Sequence, residues 1–233
     1  MVAHYKEADY FEGGTCGYAS YSAQERPLRL TFRRLLKNLD HRGVTGGTLL
    51  EVGCGYGYLL DEAAPYFARR LGTDMSERGV REAAGYADAV WLGGLEAVPP
   101  DIQADMVIAV HVIEHVYNPK FFVREMLRVL RPGGTLVLAA PDAGSLWFKL
   151  LRHRWPSFKF PEHVTFFDRR ALAALLRRSG AENLRPIPYP HAFPLSVVAA
   201  KMRLRTPGFL ADRSAWIPGT TVAMLGSAPA RHS

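Results

Sequence analysis

Residues 24–39 place Leu28, Phe32, Leu35, Leu36 and Leu39 three or four apart, with Arg29, Arg33, Arg34 and Lys37 opposite them. That spacing predicts an amphipathic helix with one apolar stripe. Beyond it the period changes. Short apolar runs at 48–52, 70–73, 89–92, 106–110 and 135–139 alternate with helical patterns, as expected of strand-helix-strand units that build a parallel sheet. The helix signals are local and chemical. One helix follows Gly57 and ends near Pro65; Ser76 precedes ERGVREAAGYA as an N-cap; Asn118-Pro119 opens KFFVREMLRVL; Asp168 precedes RRALAALLRRS, with Gly180 after its last turn. The Arg131-Pro132-Gly133-Gly134 turn ends the third of these and feeds the strand TLVLAA. Weaker strand patterns at 183–187 and 220–225 complete seven strands. The reading is a doubly wound, mostly parallel seven-stranded α/β sheet. Residues 1–42 form an N-terminal lid or helical cap, and residues 43–233 a core that carries an insert at 144–167.

Composition narrows the setting. Of 233 residues, 48% are hydrophobic and 22% charged, ordinary for a globular chain. No apolar run approaches the roughly 20 residues of a membrane-spanning helix. The first residues, MVAHYKEADYFEGG, lack the charged lead and apolar stretch of a secretory leader. With only Cys16 and Cys54, there is neither a disulfide framework nor a C-x-x-C metal pattern. A reducing cytoplasm is the simplest setting. The net charge of +7 permits an acidic partner, and Lys149, Arg152, Arg154 and Lys159 cluster in the insert with no acid between Trp147 and Phe160.

The chemistry concentrates in TLLEVGCGYGYLL, a buried strand, then Gly53, Gly55 and Gly57, then a helix. Glycines at that junction permit a tight turn and let backbone N–H groups approach a ligand at a helix N-terminus. Ligands of such sheets sit at the carboxyl ends of the strands, so a nucleotide-like cofactor is implied. A dinucleotide fingerprint would need its third glycine at Tyr58, and no phosphate-binding G-x-x-x-x-G-K-[ST] occurs.

Glu51-Val-Gly53-Cys-Gly55-Tyr-Gly57 resembles the first motif of the class I S-adenosylmethionine-dependent methyltransferases. The resemblance continues in order through Gly72-Thr-Asp74-Met-Ser76, the 104–116 strand and turn, and Arg128-Val-Leu-Arg-Pro132-Gly133-Gly134. It implies S-adenosylmethionine as cofactor and S-adenosylhomocysteine as product. It assigns Glu51 to the sulfonium or amino end, Gly53, Gly55 and Gly57 to the methionine part, Asp74 to the ribose and Met75 to the adenine. Cys54, Tyr58, Gly93, Leu95 and His111 complete the implied cofactor contacts. Gly93-Gly94 depart from relatives that carry an acid there, so another group must read the adenine amino group.

Methyl transfer demands alignment, plus a base where the acceptor must lose a proton. His111 and His163 are the base candidates, since imidazole titrates near neutrality and both follow strand ends. His111-x-x-Glu114-His115 also matches the zinc-peptidase pattern H-x-x-E-H, but at a strand end rather than on a continuous helix. The triplet His111, Glu114 and His115 offers acceptable metal ligands, though no metal is expected. Tyr10, Tyr18 and Tyr21 around the early glycines suggest a lid, and Trp147 and Trp155 an acceptor surface that could equally be a homodimer contact. The segment EHVTFF is similar to segments of small bacterial methyltransferases of natural-product and glycan pathways. The expected activity is methylation of a small-molecule acceptor, foremost at an oxygen, with nitrogen and carbon acceptors left open because the base candidates do not separate them. The rivals are nucleic-acid methylation, favoured by the charge and the basic aromatic insert, and cofactor binding without catalysis.

Overall fold

The computed structural model describes residues 24–152, 155, 162–195 and 213–230. Helix α1 (Glu25–Asp40) leads into β1 (Thr48–Val52), α2 (Tyr58–Glu62), β2 (Arg69–Asp74), α3 (Glu77–Ala83), β3 (Ala89–Leu92) and β4 (Ala104–Val110). Next come α4 (Pro119–Val129), β5 (Leu130–Pro141), α5 (Leu146–Leu151), α6 (Arg169–Ser179) and β6 (Glu182–Ile187). The hairpin strands β7 (His191–Pro194) and β8 (Ser214–Ile217) precede β9 (Thr221–Ser227). Seven strands form one sheet in the order β3-β2-β1-β4-β5-β9-β6. β1 to β5 pair in parallel, and β9 runs antiparallel to both β5 and β6. The strand order reverses between β1 and β4, which opens a crevice at the carboxyl edge directly after the glycine-bearing strand.

Alternation along the strands builds two apolar layers. Leu50, Val107 and Leu138 face one side, with α4 and α6, while their neighbours Leu49, Met106, Ile108 and Val137 face the other, with α1 and α2. Both faces being covered explains why these strands read as continuous apolar runs. The caps act as their residue types dictate. Ser76 Oγ accepts from Gly79 N at 3.2 Å, Asn118 Oδ1 from Phe121 N at 3.1 Å and Asp168 Oδ1 from Ala171 N at 2.7 Å. Gly180 closes α6 in the left-handed region at φ 103°.

Helix α1 is fastened rather than merely laid on. The Arg29 guanidinium donates to Glu25 at 2.7 Å, Asp61 at 2.6 Å and Glu62 at 3.1 Å, and lies 4.9 Å from the Tyr58 ring centroid. Arg33 adds a second guanidinium on Glu62. The cap is thereby tied to α2, the helix that follows the glycine loop.

Two details differ from the sequence expectation. β5 starts at Leu130, because Leu130 pairs with Ala104 before a register shift at Met106, so the Pro-Gly-Gly turn lies within the strand's span. The β7–β8 hairpin has no counterpart in the periodicity, since two strands of four residues are too short to display one. Among the described residues, no helix is long and apolar enough to cross a membrane.

Candidate functional site

Gly53, Gly55 and Gly57 all adopt left-handed backbone, at φ 73°, 53° and 80°. Space forbids side chains as firmly as conformation does. A Cβ on Gly53 would stand 2.6 Å from Val112 Cγ2, and one on Gly57 would stand 2.9 Å from the Ala83 backbone. The loop is pinned to β2, where Thr73 O accepts from Gly53 N and Cys54 N at 2.8 and 3.0 Å. Cys54 fills the space beside Gly72, is buried, and has its thiol pushed up by burial first and by Glu51 and Asp74 next. It is therefore an inert filler.

Glu51 projects from β1 into this cradle, 3% exposed, with Oε2 lacking a hydrogen-bond partner among the described residues. Burial, then the Asp74 charge, pushes its carboxyl well above the usual range. A buried acid with an orphaned oxygen suits a cationic group. Asp74 Oδ2 accepts from Gly55 N at 2.7 Å and Oδ1 from Ser76 N at 2.8 Å, so it locks the glycine loop to the β2 turn. A carboxylate has about four lone-pair positions, so Asp74 keeps acceptor capacity beyond these backbone donors. Burial raises its pKa against the pull of the Ser76 and Gly55 backbone donors.

Met75 and Gly93 flank this acid, and Gly93 N donates to Asp74 O at 2.8 Å. Leu95 is buried in the short turn that follows β3. The acid missing at Gly93-Gly94 returns from a different position: Glu96 Oε1 accepts from Gly94 N at 2.8 Å, and its Oε2 stands 2.6 Å from where a Gly94 Cβ would be. Glu96 escapes a reading by position alone, because the fold-back of its side chain depends on the glycine backbone. Tyr58 packs behind the loop under Arg29, its hydroxyl pushed up to about 12 by burial first and Glu25 next.

Across the crevice, His111 follows β4 in left-handed backbone at φ 56°, an uncommon conformation for a residue with a Cβ. Its amide is held by Ala139 O at 2.9 Å, and its Nδ1 lies 3.2 Å from Glu114 Oε1. Nε2 is buried without a hydrogen-bond partner among the described residues, beside Tyr189 and His191, whose ring centroids stand 6.1 and 5.6 Å away. Burial of Glu114 would raise its carboxyl, but the His111 hydrogen bond and the neighbouring imidazoles hold it below the ordinary carboxylate value. His191 stacks on Phe193 at 4.2 Å, and burial, then the His111 charge, pushes its imidazole down to about 3, so it is neutral at physiological pH. The sequence pattern contains Glu114 but not its grip on His111, and His191 arrives from the unforeseen hairpin.

His163 lies on the other side of Glu114, buried, with its ring edge-on to His115 at 4.6 Å. Glu114, His115 and His163 offer ligand atoms that all lie within 4.8 Å of one another. The candidate triplet is corrected accordingly: His111 is turned onto the carboxylate, and His163 takes its place in the cluster. Glu114 and His115 sit on a single short turn, Ile113–His115, which is not the continuous helix of a zinc peptidase. Trp147 Nε1 donates to Pro218 O at 2.8 Å, and Trp155 is buried against Phe148 at 5.3 Å. Tyr10, Tyr18 and Tyr21, with the remaining basic and aromatic residues at 153–154 and 156–161, lie outside the described residues.

Comparison with known proteins matches residues 22–185 to a family described as a methyltransferase domain. A protein of Maricaulis maris named ubiquinone biosynthesis O-methyltransferase is 31% identical over 178 residues, 68% of this chain and 70% of that one. A Mycolicibacterium smegmatis protein named "Probable S-adenosylmethionine-dependent methyltransferase" is 38% identical over 117 residues, 48% of this chain. This chain spans 45% of the length of that relative. The magnesium protoporphyrin IX methyltransferase of Synechocystis, solved with bound S-adenosylhomocysteine, shares the fold at TM-score 0.62 and 14% identity, over 97% of this chain and 96% of that one.

Proposed function

This chain belongs to the methyltransferase-domain family, and we propose that it transfers a methyl group from S-adenosylmethionine to an oxygen of a small hydroxylated molecule in the cytoplasm, with His111 as the base. The observation that carries the acceptor chemistry is the His111–Glu114 pair at the carboxyl edge of β4, with the His111 Nε2 buried and unpartnered among the described residues. The name of the Maricaulis maris relative supports oxygen as the atom methylated.

S-adenosylmethionine, when bound, supplies a methyl group activated by a positively charged sulfur. The glycine cradle fits it. Glu51 offers its orphaned carboxylate oxygen to the cationic end, Asp74 its remaining lone pairs to the ribose, and Glu96 a carboxylate at the end of β3. On the acceptor side, Glu114 accepts a hydrogen bond from Nδ1–H and so leaves the Nε2 lone pair to take the proton of the acceptor hydroxyl. Tyr189 and neutral His191 wall off that nitrogen from water. Alignment of the oxygen with the methyl group does the rest.

A panel of hydroxylated aromatic and sugar acceptors, with methylated product measured by mass spectrometry, tests the reading. The expected result is O-methyl product, with kcat reduced about 10²-fold or more in His111→Gln. Full turnover by His111→Gln contradicts the base assignment. Methylation of RNA in place of every small acceptor contradicts the acceptor class.

A further inference from the structure

We propose that Glu114, His115 and His163 form a binding site for a divalent ion of the zinc type, which clasps the turn after β4 to residues 162–165. Three side chains from two distant stretches of chain converge there, with all ligand atoms within 4.8 Å of one another. Ligands at tetrahedral zinc lie about 2.0–2.2 Å from the ion, hence roughly 3.4 Å apart, so the cluster closes by small rotamer shifts. Two imidazoles and a carboxylate suit zinc and its neighbours better than calcium or magnesium.

Two independent observations point to a ligand. Glu114 is 1% exposed, and its Oε2 has no hydrogen-bond partner among the described residues. A buried carboxylate oxygen left so is costly unless a cation faces it. The second observation is the arrangement behind the ligands. His115 Nδ1 lies 3.0 Å from Glu162 O, a backbone carbonyl that can only accept, so Nδ1 carries the proton and Nε2 the lone pair. A ring nitrogen donating to a backbone carbonyl is the outer-shell support typical of metal-bound histidine. Glu114 is supported likewise, its Oε1 accepting from His111 Nδ1–H and leaving Oε2 for the ion.

The backbone already joins the same two segments. Glu114 O accepts from Val164 N at 2.8 Å and Thr165 N at 3.1 Å. An ion on the three side chains completes that junction, and its binding stands independently of which acceptor is methylated.

The test uses the full chain, freed of any affinity tag and dialysed with limiting zinc, with metal measured by plasma mass spectrometry. About one zinc per chain is expected, falling below about a tenth in His115→Ala and His163→Ala but retained in His41→Ala. Cobalt provides a positive readout should the alanine variants fail to fold. His163→Cys, loaded with cobalt, gains a thiolate-to-cobalt charge-transfer band that the wild type lacks. Folded wild-type protein without zinc, zinc retained by both folded alanine variants, or no such band in folded His163→Cys overturns the proposal.

Discussion

A carboxyl group at position 51 is buried beside the charge of Asp74, with one oxygen unpartnered among the described residues, so the native fold favours its protonated form. The native state therefore holds a proton that the unfolded chain gives up, and the stability intact below the ordinary carboxylate range is lost as pH rises through the raised value. Glu51→Gln removes this liability. The ligand-free variant should melt higher than wild type at pH 8, by the equivalent of about 1–3 kcal/mol, with the gap closing toward pH 4.5. Its affinity for S-adenosylmethionine should fall at least tenfold, because the cationic end loses its counter-charge. Scanning calorimetry and titration calorimetry on the same variant read the two effects, and a lower melting point at pH 8 contradicts the first. Glu51, Asp74 and the three glycines were legible in the sequence because their spacing alone defines the loop. Glu96 and the orientation of His111 were not, since the first depends on a side chain folding back onto the Gly94 amide and the second on left-handed backbone at His111 itself.

Caps and helical stripes were the most legible elements. Ser76, Asn118 and Asp168 each cap the helix that their residue type predicts, and Gly180 ends α6. Asp168 is far in function from the glycine loop, whereas the Ser76 amide is part of the Asp74 lock. Asp168→Ala should lower stability by about 1 kcal/mol and leave affinity for S-adenosylhomocysteine unchanged, as thermal melts with and without ligand will show. A tenfold loss of affinity would mean that α6 is coupled to the cofactor loop. The β7–β8 hairpin was illegible for a physical reason. Its strands are short and bounded by prolines, and its place is set by distant partners, with Ala192 N donating to Thr31 Oγ1 on α1 at 2.9 Å. That hairpin brings His191, stacked on Phe193, to His111, so the surroundings of His111 were the part of the site least visible in sequence.

At the scale of the whole molecule, the mostly parallel sheet covered on both faces follows from the alternation of strands and helices, while the role of α1 changes. Phe32, Leu35, Leu36 and Leu39 are buried in the same cluster as Leu49, Met106 and Ile108, and Arg29 fastens the helix to α2. Burial of these four side chains contributes on the order of 6–12 kcal/mol, comparable to the entire stability of a typical domain. A chain starting at Gly43 should therefore lack a cooperative thermal transition by circular dichroism; a native-like melt would show α1 to be dispensable. The crevice between β1 and β4 is where an adenosyl cofactor belongs. Titration calorimetry of the full chain with S-adenosylhomocysteine, with NAD as the control, tests this most directly. One site of micromolar affinity for the former and no heat from the latter is the predicted result. No binding of S-adenosylhomocysteine by folded protein, or equal binding of NAD, would contradict it.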